Sequence, residues 1–111
     1  MQTTYGTKIT IDNLNDGAQI HFTQAGPTKV YTVQGTTIPT QPETMVTAMG
    51  WCINNEMIRI FSPPLGGTYD NYSFDIADQD CAVDQWHMLA VHAWGNLGDH
   101  TIETRSFRRL S

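Results

Sequence analysis

The stretch EMIRIFSPPLGGTYDNYSFDI, residues 56–76, decides the fold: two alternating segments flank a loop of proline, glycine and tyrosine. Alternation of apolar and polar residues at period two marks a half-buried strand. Ile58 and Ile60 alternate with polar or charged neighbours before the loop, and Tyr72, Phe74 and Ile76 do so after it. Immediately upstream, Asn54 and Asn55 tolerate the positive φ of a two-residue turn, so residues 45–53 and 56–61 read as one hairpin. Counting outward from that turn sets Trp51 opposite Ile58 and Met49 opposite Ile60. These four, with Tyr72, Phe74 and Ile76, are assigned to the core.

The same period recurs on both sides. Ile9 and Ile11, then Ile20 and Phe22, read as a first hairpin across residues 13–17. Residues 29–37 are rich in β-branched and aromatic side chains and are broken by Pro39 and Pro42. Residues 86–94 and 101–107 make a last pair across residues 95–99. Helical periodicity is nearly absent, and there is no internal repeat or linker. The chain is therefore expected to be all-β: a single antiparallel β-sandwich of seven to nine strands over residues 1–111, with a closed barrel as the alternative.

Composition narrows the function. Charged residues are 15% of the 111, and the formal charge is -5 with six basic residues. That balance argues against a nucleic-acid partner, whose phosphates bind chiefly through Lys and Arg. Arg105, Arg108 and Arg109 gather in the last seven positions and read as a solvated tail, with contact to an anionic headgroup as the alternative. The first residues lack a basic segment followed by an apolar one, and no stretch approaches the ~18 apolar residues of a membrane span. The chain as it stands is expected to be soluble and without a targeting segment, and its location stays open. Cys52 and Cys81 have no metal or redox spacing and read as buried free thiols, or as one disulfide in an oxidising compartment.

No constellation announces catalysis, a cofactor or a metal. His87 and His92 differ by an odd number of positions, so one regular strand points them to opposite faces, and His100 completes no ligand set. Asp75, Asp78, Asp80 and Asp84 do not fit a calcium loop, since Val83 stands where that loop needs glycine; they read as a solvated acidic loop. On the strand at residues 86–94, Leu89, Val91 and Ala93 are matched in apolar character by Trp86, Met88, Ala90 and Trp94 on the other face. Either a second layer covers both faces, or Trp86, Met88 and Trp94 meet a partner subunit or membrane surface. In the opening stretch, Phe61, Ser62, Pro64, Tyr69 and Tyr72 supply rigid aromatics among small neighbours. That chemistry suits a sugar face or lipid headgroup, and equally a turn whose tyrosines cap the core.

The segment also carries a resemblance. Residues 9–13 opening a sandwich, residues 46–52 leading into a hairpin, and Phe61, Ser62 and Pro64 followed by Tyr69, Asn71, Tyr72, Phe74 and Ile76 resemble the actinoporin-like cytolysins and fungal fruit-body lectins, more distantly the aegerolysins. The resemblance covers about two thirds of the chain. It implies a phosphocholine or carbohydrate headgroup site at Ser62, Pro64, Tyr69 and Tyr72. Unlike actinoporins, the chain begins almost directly with a strand and lacks the amphipathic N-terminal helix of a pore former.

Three functions follow as expectations. The first is a non-catalytic module that recognises a glycan or lipid headgroup through Phe61, Ser62, Pro64, Tyr69 and Tyr72, with peripheral membrane contact and a homodimer both open. The second is a small β-barrel enzyme or carrier whose pocket is lined by Trp51, Trp86 and Trp94, with His87 or His92 as its polar group. The third is a structural or interaction subunit working through the face of Trp86, Met88 and Trp94.

Overall fold

A computed structural model describes residues 7–40, 43–61 and 69–111. Among these residues the chain is all-β. Nine strands, β1 (Thr7–Ile9), β2 (Ala18–His21), β3 (Thr23–Ala25), β4 (Thr28–Pro39), β5 (Val46–Ile53), β6 (Arg59–Phe61), β7 (Asn71–Ala77), β8 (Trp86–Gly95) and β9 (His100–Leu110), are joined by loops and one 3₁₀ turn at Asp78–Asp80. They form two packed sheets, the expected sandwich. In the first, the long β4 pairs with β1, β3 and β7; the second runs β2-β9-β8-β5-β6.

Each inner face is one half of a strand alternation. Val33 of β4 and Tyr72, Phe74 and Ile76 of β7 meet Met49, Trp51 and Ile53 of β5, Leu89, Val91 and Ala93 of β8, and Phe107 of β9 in one buried cluster. Trp51 lies on Phe74 across the interface, with ring centroids 5.0 Å apart and planes 9° from parallel. Aromatic pairs of this kind contribute about 0.5–1.5 kcal/mol beyond their buried area. β8 and β9 form the anticipated hairpin, from Trp86↔Arg108 to Trp94↔His100. Their turn closes through Gly95 N–H to Asp99 O at 2.9 Å, with Gly98 at φ 78°.

Three expectations about pairing change. The sandwich is not purely antiparallel, because β2 runs parallel to β9. It follows that residues 9–11 and 20–22 form no hairpin: β1 pairs with β4 instead. The segment read as their turn carries Leu14 into the core, which converts a reversal within one sheet into a crossing between two. Gly17, at φ 83°, ends the crossing by donating its N–H to Ser106 O.

The third change concerns β6. Asn54 and Asn55 do adopt positive φ, 55° and 60°, and Glu56 N–H closes the turn on Ile53 O at 3.0 Å. One extra residue between this turn and β6 then sets Trp51 opposite Arg59 and Met49 opposite Phe61. A slip of one residue exchanges the faces of a strand. Ile58 and Ile60 therefore lie outside the core, while Phe61 enters it, with its ring centroid 5.3 Å from that of Phe74. Arg59, on the inner side, stands 4.9 Å over the Trp51 ring and pairs with the buried Asp80 carboxylate.

The arginine-rich end is likewise not a solvated tail. Arg109 is 4% exposed; its guanidinium pairs with Asp78 at 2.5 Å, donates to Cys81 O at 2.6 Å and stands 4.3 Å over the Phe22 ring. Asp80 also accepts from Ala77 N–H, and Asp75 accepts from Thr32 Oγ1. Three of the four carboxylates read as a solvated acidic loop are thus engaged by the protein itself.

Both cysteines are free and buried. Burial and the neighbouring Asp80 push the Cys81 thiol up to about 12. The unfolded thiol ionises near 9, so the stability this group contributes is fully present below pH 9 and is lost as pH rises toward 12. Urea unfolding at stepped pH should show stability falling across that window in the wild type, with the Cys81-dependent part of the fall absent in Cys81→Ala. A thiol reagent at pH 8 should modify neither cysteine in the native protein and both in denaturant. Gly35→Ala places a Cβ into Thr10 O and the Tyr72 ring. Overpacking of this sort should lower unfolding free energy by about 1–3 kcal/mol, measured by the same titration.

Candidate cleft beside Tyr69

The described flanks of the proline and glycine loop point inward. Phe61, half-buried, meets Tyr69, Tyr72 and Phe74 at centroid separations of 6.0, 6.1 and 5.3 Å. Tyr69 and Tyr72 are buried. Tyr69 donates its hydroxyl to Phe61 O at 3.0 Å, and Tyr72 donates to Thr10 O at 2.5 Å. Burial, reinforced by the charge of Asp12, holds the Tyr72 phenol above its ordinary range. The structure thus brings Phe61, Tyr69 and Tyr72 into one cluster, and there the two tyrosines cap the core. Ser62 and Pro64 lie outside the described residues.

Beside Tyr69 the surface is concave. A cleft of about 280 Å³ is lined by Thr37, Pro39, Thr44, Met45, Val46, Tyr69 and Asp70, where β4 ends and β5 begins. Two sets of hydrogen bonds fix its walls. Thr37 donates from Oγ1 to Tyr69 O at 3.0 Å and from N–H to Asp70 O at 3.2 Å. Across the cleft, Asn96 accepts from Met45 N–H at 2.8 Å, donates its own N–H to Met45 O, and donates from Nδ2 to Glu43 O at 3.0 Å.

Thr44 Oγ1 is buried in this lining and has no hydrogen-bond partner among the described residues. An unsatisfied buried hydroxyl costs about 1–3 kcal/mol. A ligand hydroxyl placed there would remove that cost. Asp70 adds a carboxylate acceptor; Pro39, Met45 and Val46 add apolar wall; none of the described lining residues is basic. Sequence reasoning missed Thr44, Met45 and Asp70 as a site because Thr44 and Asp70 belong to no periodic segment, Met45 reads only as the start of a strand, and they meet only where the end of β4 in one sheet approaches the start of β5 in the other.

The histidines take two separate roles. His87 faces inward: Nε2–H donates to Ala82 O at 2.9 Å, and Nδ1 accepts from Asn54 Nδ2 at 3.1 Å. This assigns a single neutral tautomer. His92 faces outward, with Nδ1 2.8 Å from His100 Nε2 and Nε2 3.8 Å from Cys52 Sγ. Burial, then the charge of His100, holds His92 below its ordinary range. Burial pushes the Cys52 thiol up, against a hydrogen bond from the Asn55 backbone that lowers it. Both nitrogens of His92 are engaged, and no group of three metal-ligating side chains converges among the described residues.

The three tryptophans do not line one pocket. Trp51 lies between the sheets, Trp86 and Trp94 on the outer side of β8, so the pocket anticipated for an enzyme or carrier is not formed by them. Trp86 and Met88 are exposed; Trp94 is half-buried and stacks on His100 at 4.9 Å. No helix of the described residues is long and apolar enough to cross a membrane. No protein-family model matches the chain, and no curated protein matches it in sequence.

Proposed function

We propose that this chain is a non-catalytic recognition module that holds a neutral glycan in the cleft beside Tyr69. The observation that carries the proposal is the buried Thr44 hydroxyl, without a partner among the described residues, in a cleft that also presents the Asp70 carboxylate and an apolar wall. Sugars offer what such a site lacks: several hydroxyls that donate and accept, together with apolar C–H faces. A phosphocholine headgroup is less well served, because among the described residues no cation lines the cleft to meet phosphate and Asp70 opposes it. The resemblance of residues 61–76 to the actinoporin-like cytolysins and fungal fruit-body lectins is compatible with either ligand and does not choose between them. In this reading Tyr69 is a wall of the site, and Phe61 and Tyr72 hold that wall from behind.

A glycan array followed by calorimetric titration with the strongest binder tests the proposal. Thr44→Val and Asp70→Asn should each weaken binding at least tenfold, and liposomes bearing phosphocholine should not compete. Undiminished affinity in the double variant would remove the cleft as the site. Binding to the liposomes alone would replace the glycan with a headgroup.

A further inference from the structure

We propose that the His92–His100 pair makes the cleft beside Tyr69 sensitive to pH: charging both rings loosens the end of the β8–β9 hairpin and releases the cleft wall that hangs from it. The inference rests on the glycan reading of that cleft and adds its regulation. His92 Nδ1 and His100 Nε2 stand 2.8 Å apart, so one of them donates to the other. With Trp94 the two rings form one stack, at centroid separations of 4.9, 5.0 and 5.6 Å and within 20° of parallel. A neutral pair, or a pair carrying one charge, keeps a lone pair to accept the bond. Two imidazolium rings offer only donors. The bond is then lost, and two like charges face each other in its place.

The surroundings do not absorb that charge. Around the pair β5 presents Ala48, Gly50 and the Cys52 thiol, β6 presents Ile60, and β9 presents Ile102 and Thr104. Cys52 Sγ lies 3.8 Å from His92 Nε2, and burial keeps it a neutral thiol. Asp99, next to His100 in the chain, packs its carboxylate against Gly95 and accepts from Leu97 N–H at 3.3 Å. Glu103 stands opposite Val91, on the inner side of the sheet. β1 reaches β9 at Thr101, on that same inner side, and its Lys8 is exposed. The ion pairs among the described residues involve neither ring. Burial, then the charge of His100, holds His92 below its ordinary range. Unfolded, the ring ionises near 6.5, so the stability that His92 contributes is present above that pH and lost as pH falls below it.

The disturbance falls where the cleft is anchored. Trp94 O accepts from Thr47 Oγ1 at 3.1 Å, Gly95 pairs with Val46, and Asn96 holds Met45 and Glu43 through its backbone N–H and its side-chain amide. Residues 43–47 therefore hang from residues 94–96, and Thr44, Met45 and Val46 of that segment line the cleft. The ladder between β5 and β8 is irregular between Val46 and Ala48, so regular strand pairing does not hold the segment by itself. Trp94 joins the two ends of the device: its ring lies in the histidine stack and its carbonyl holds Thr47. When the hairpin end opens, the wall carrying the Thr44 hydroxyl moves with it. Apparent affinity then falls with the fraction of molecules that keep the wall in place.

Calorimetric titration with the strongest glycan from the array, from about pH 7.5 to about pH 5, tests the coupling. Wild-type affinity should fall at least about fivefold across that range, whereas His100→Gln, which can keep a hydrogen bond to His92 without the charge, should stay within about twofold. His92→Gln serves as the second variant should the first fail to fold. Backbone hydrogen exchange over the same range, without glycan, reads the hairpin end directly. Protection of the Met45 and Asn96 amides, corrected for the intrinsic pH dependence of exchange, should fall in the wild type and stay level in the variant. Affinity or protection that is flat across the range in the wild type, or that falls equally in both variants, would overturn the proposal. If no array glycan binds at any pH, the glycan reading fails on its own account, and the exchange measurement still decides whether the histidine pair controls the wall.

Discussion

The register of β6 against β5 is the constraint on which the remainder of the structure turns. Setting Trp51 opposite Arg59, and not opposite Ile58, fixes which half of residues 57–61 enters the core. Phe61 goes in and joins Phe74, Tyr72 and Tyr69, the aromatic group that holds the wall of the cleft. Arg59 goes in at the sheet margin, where the Trp51 ring and the Asp80 carboxylate receive its charge. Ile58 and Ile60 go out, so the same slip that completes the core leaves apolar surface on the far side of the sheet. One inserted residue thus links the cleft to the outer face.

Arg109 is the second fixed point. It sits between the Asp78–Asp80 turn and Phe22, donating to Asp78 O, Cys81 O and the Asp78 carboxylate. Arg109 gives up its hydration here while the Asp78 side chain stays 49% exposed, so the net contribution of the pair to stability is modest; what it fixes is position, since leaving the buried guanidinium without partners would be far more costly. By holding the turn after β7 against β9, it ties the two sheets at the end where β2 runs parallel to β9. Cys81, beneath the same turn, is sealed from solvent as a consequence.

Much of this was legible in the sequence, and the exceptions share a cause. Period-two alternation located β4, β5, β7, β8 and β9 and chose the correct inner face for β5 and β7, because alternation is local and each strand reports its own burial; on β8, apolar on both faces, it left the choice open. Partner choice is not local. The first hairpin failed because Leu14 gave no sign that the segment around it crosses between sheets. The pairing of β6 failed because the twin asparagines predicted the turn correctly but could not reveal one residue added after it. Arg109 shows a signal that was present and discounted: it continues the alternation of Phe107, and a strand that buries one buries the other. Thr44 and Asp70 carry no pattern at all and meet only in three dimensions.

The register is accessible to a direct measurement. Cross-strand proton contacts in a nuclear magnetic resonance spectrum of the isotope-labelled protein distinguish the two pairings residue by residue. Backbone contacts between Gly50 and Ile60, and between Trp51 and Arg59, are the predicted result. Contacts of Trp51 with Ile58 and of Met49 with Ile60 would return both isoleucines to the core, withdraw the apolar outer face, and contradict the account.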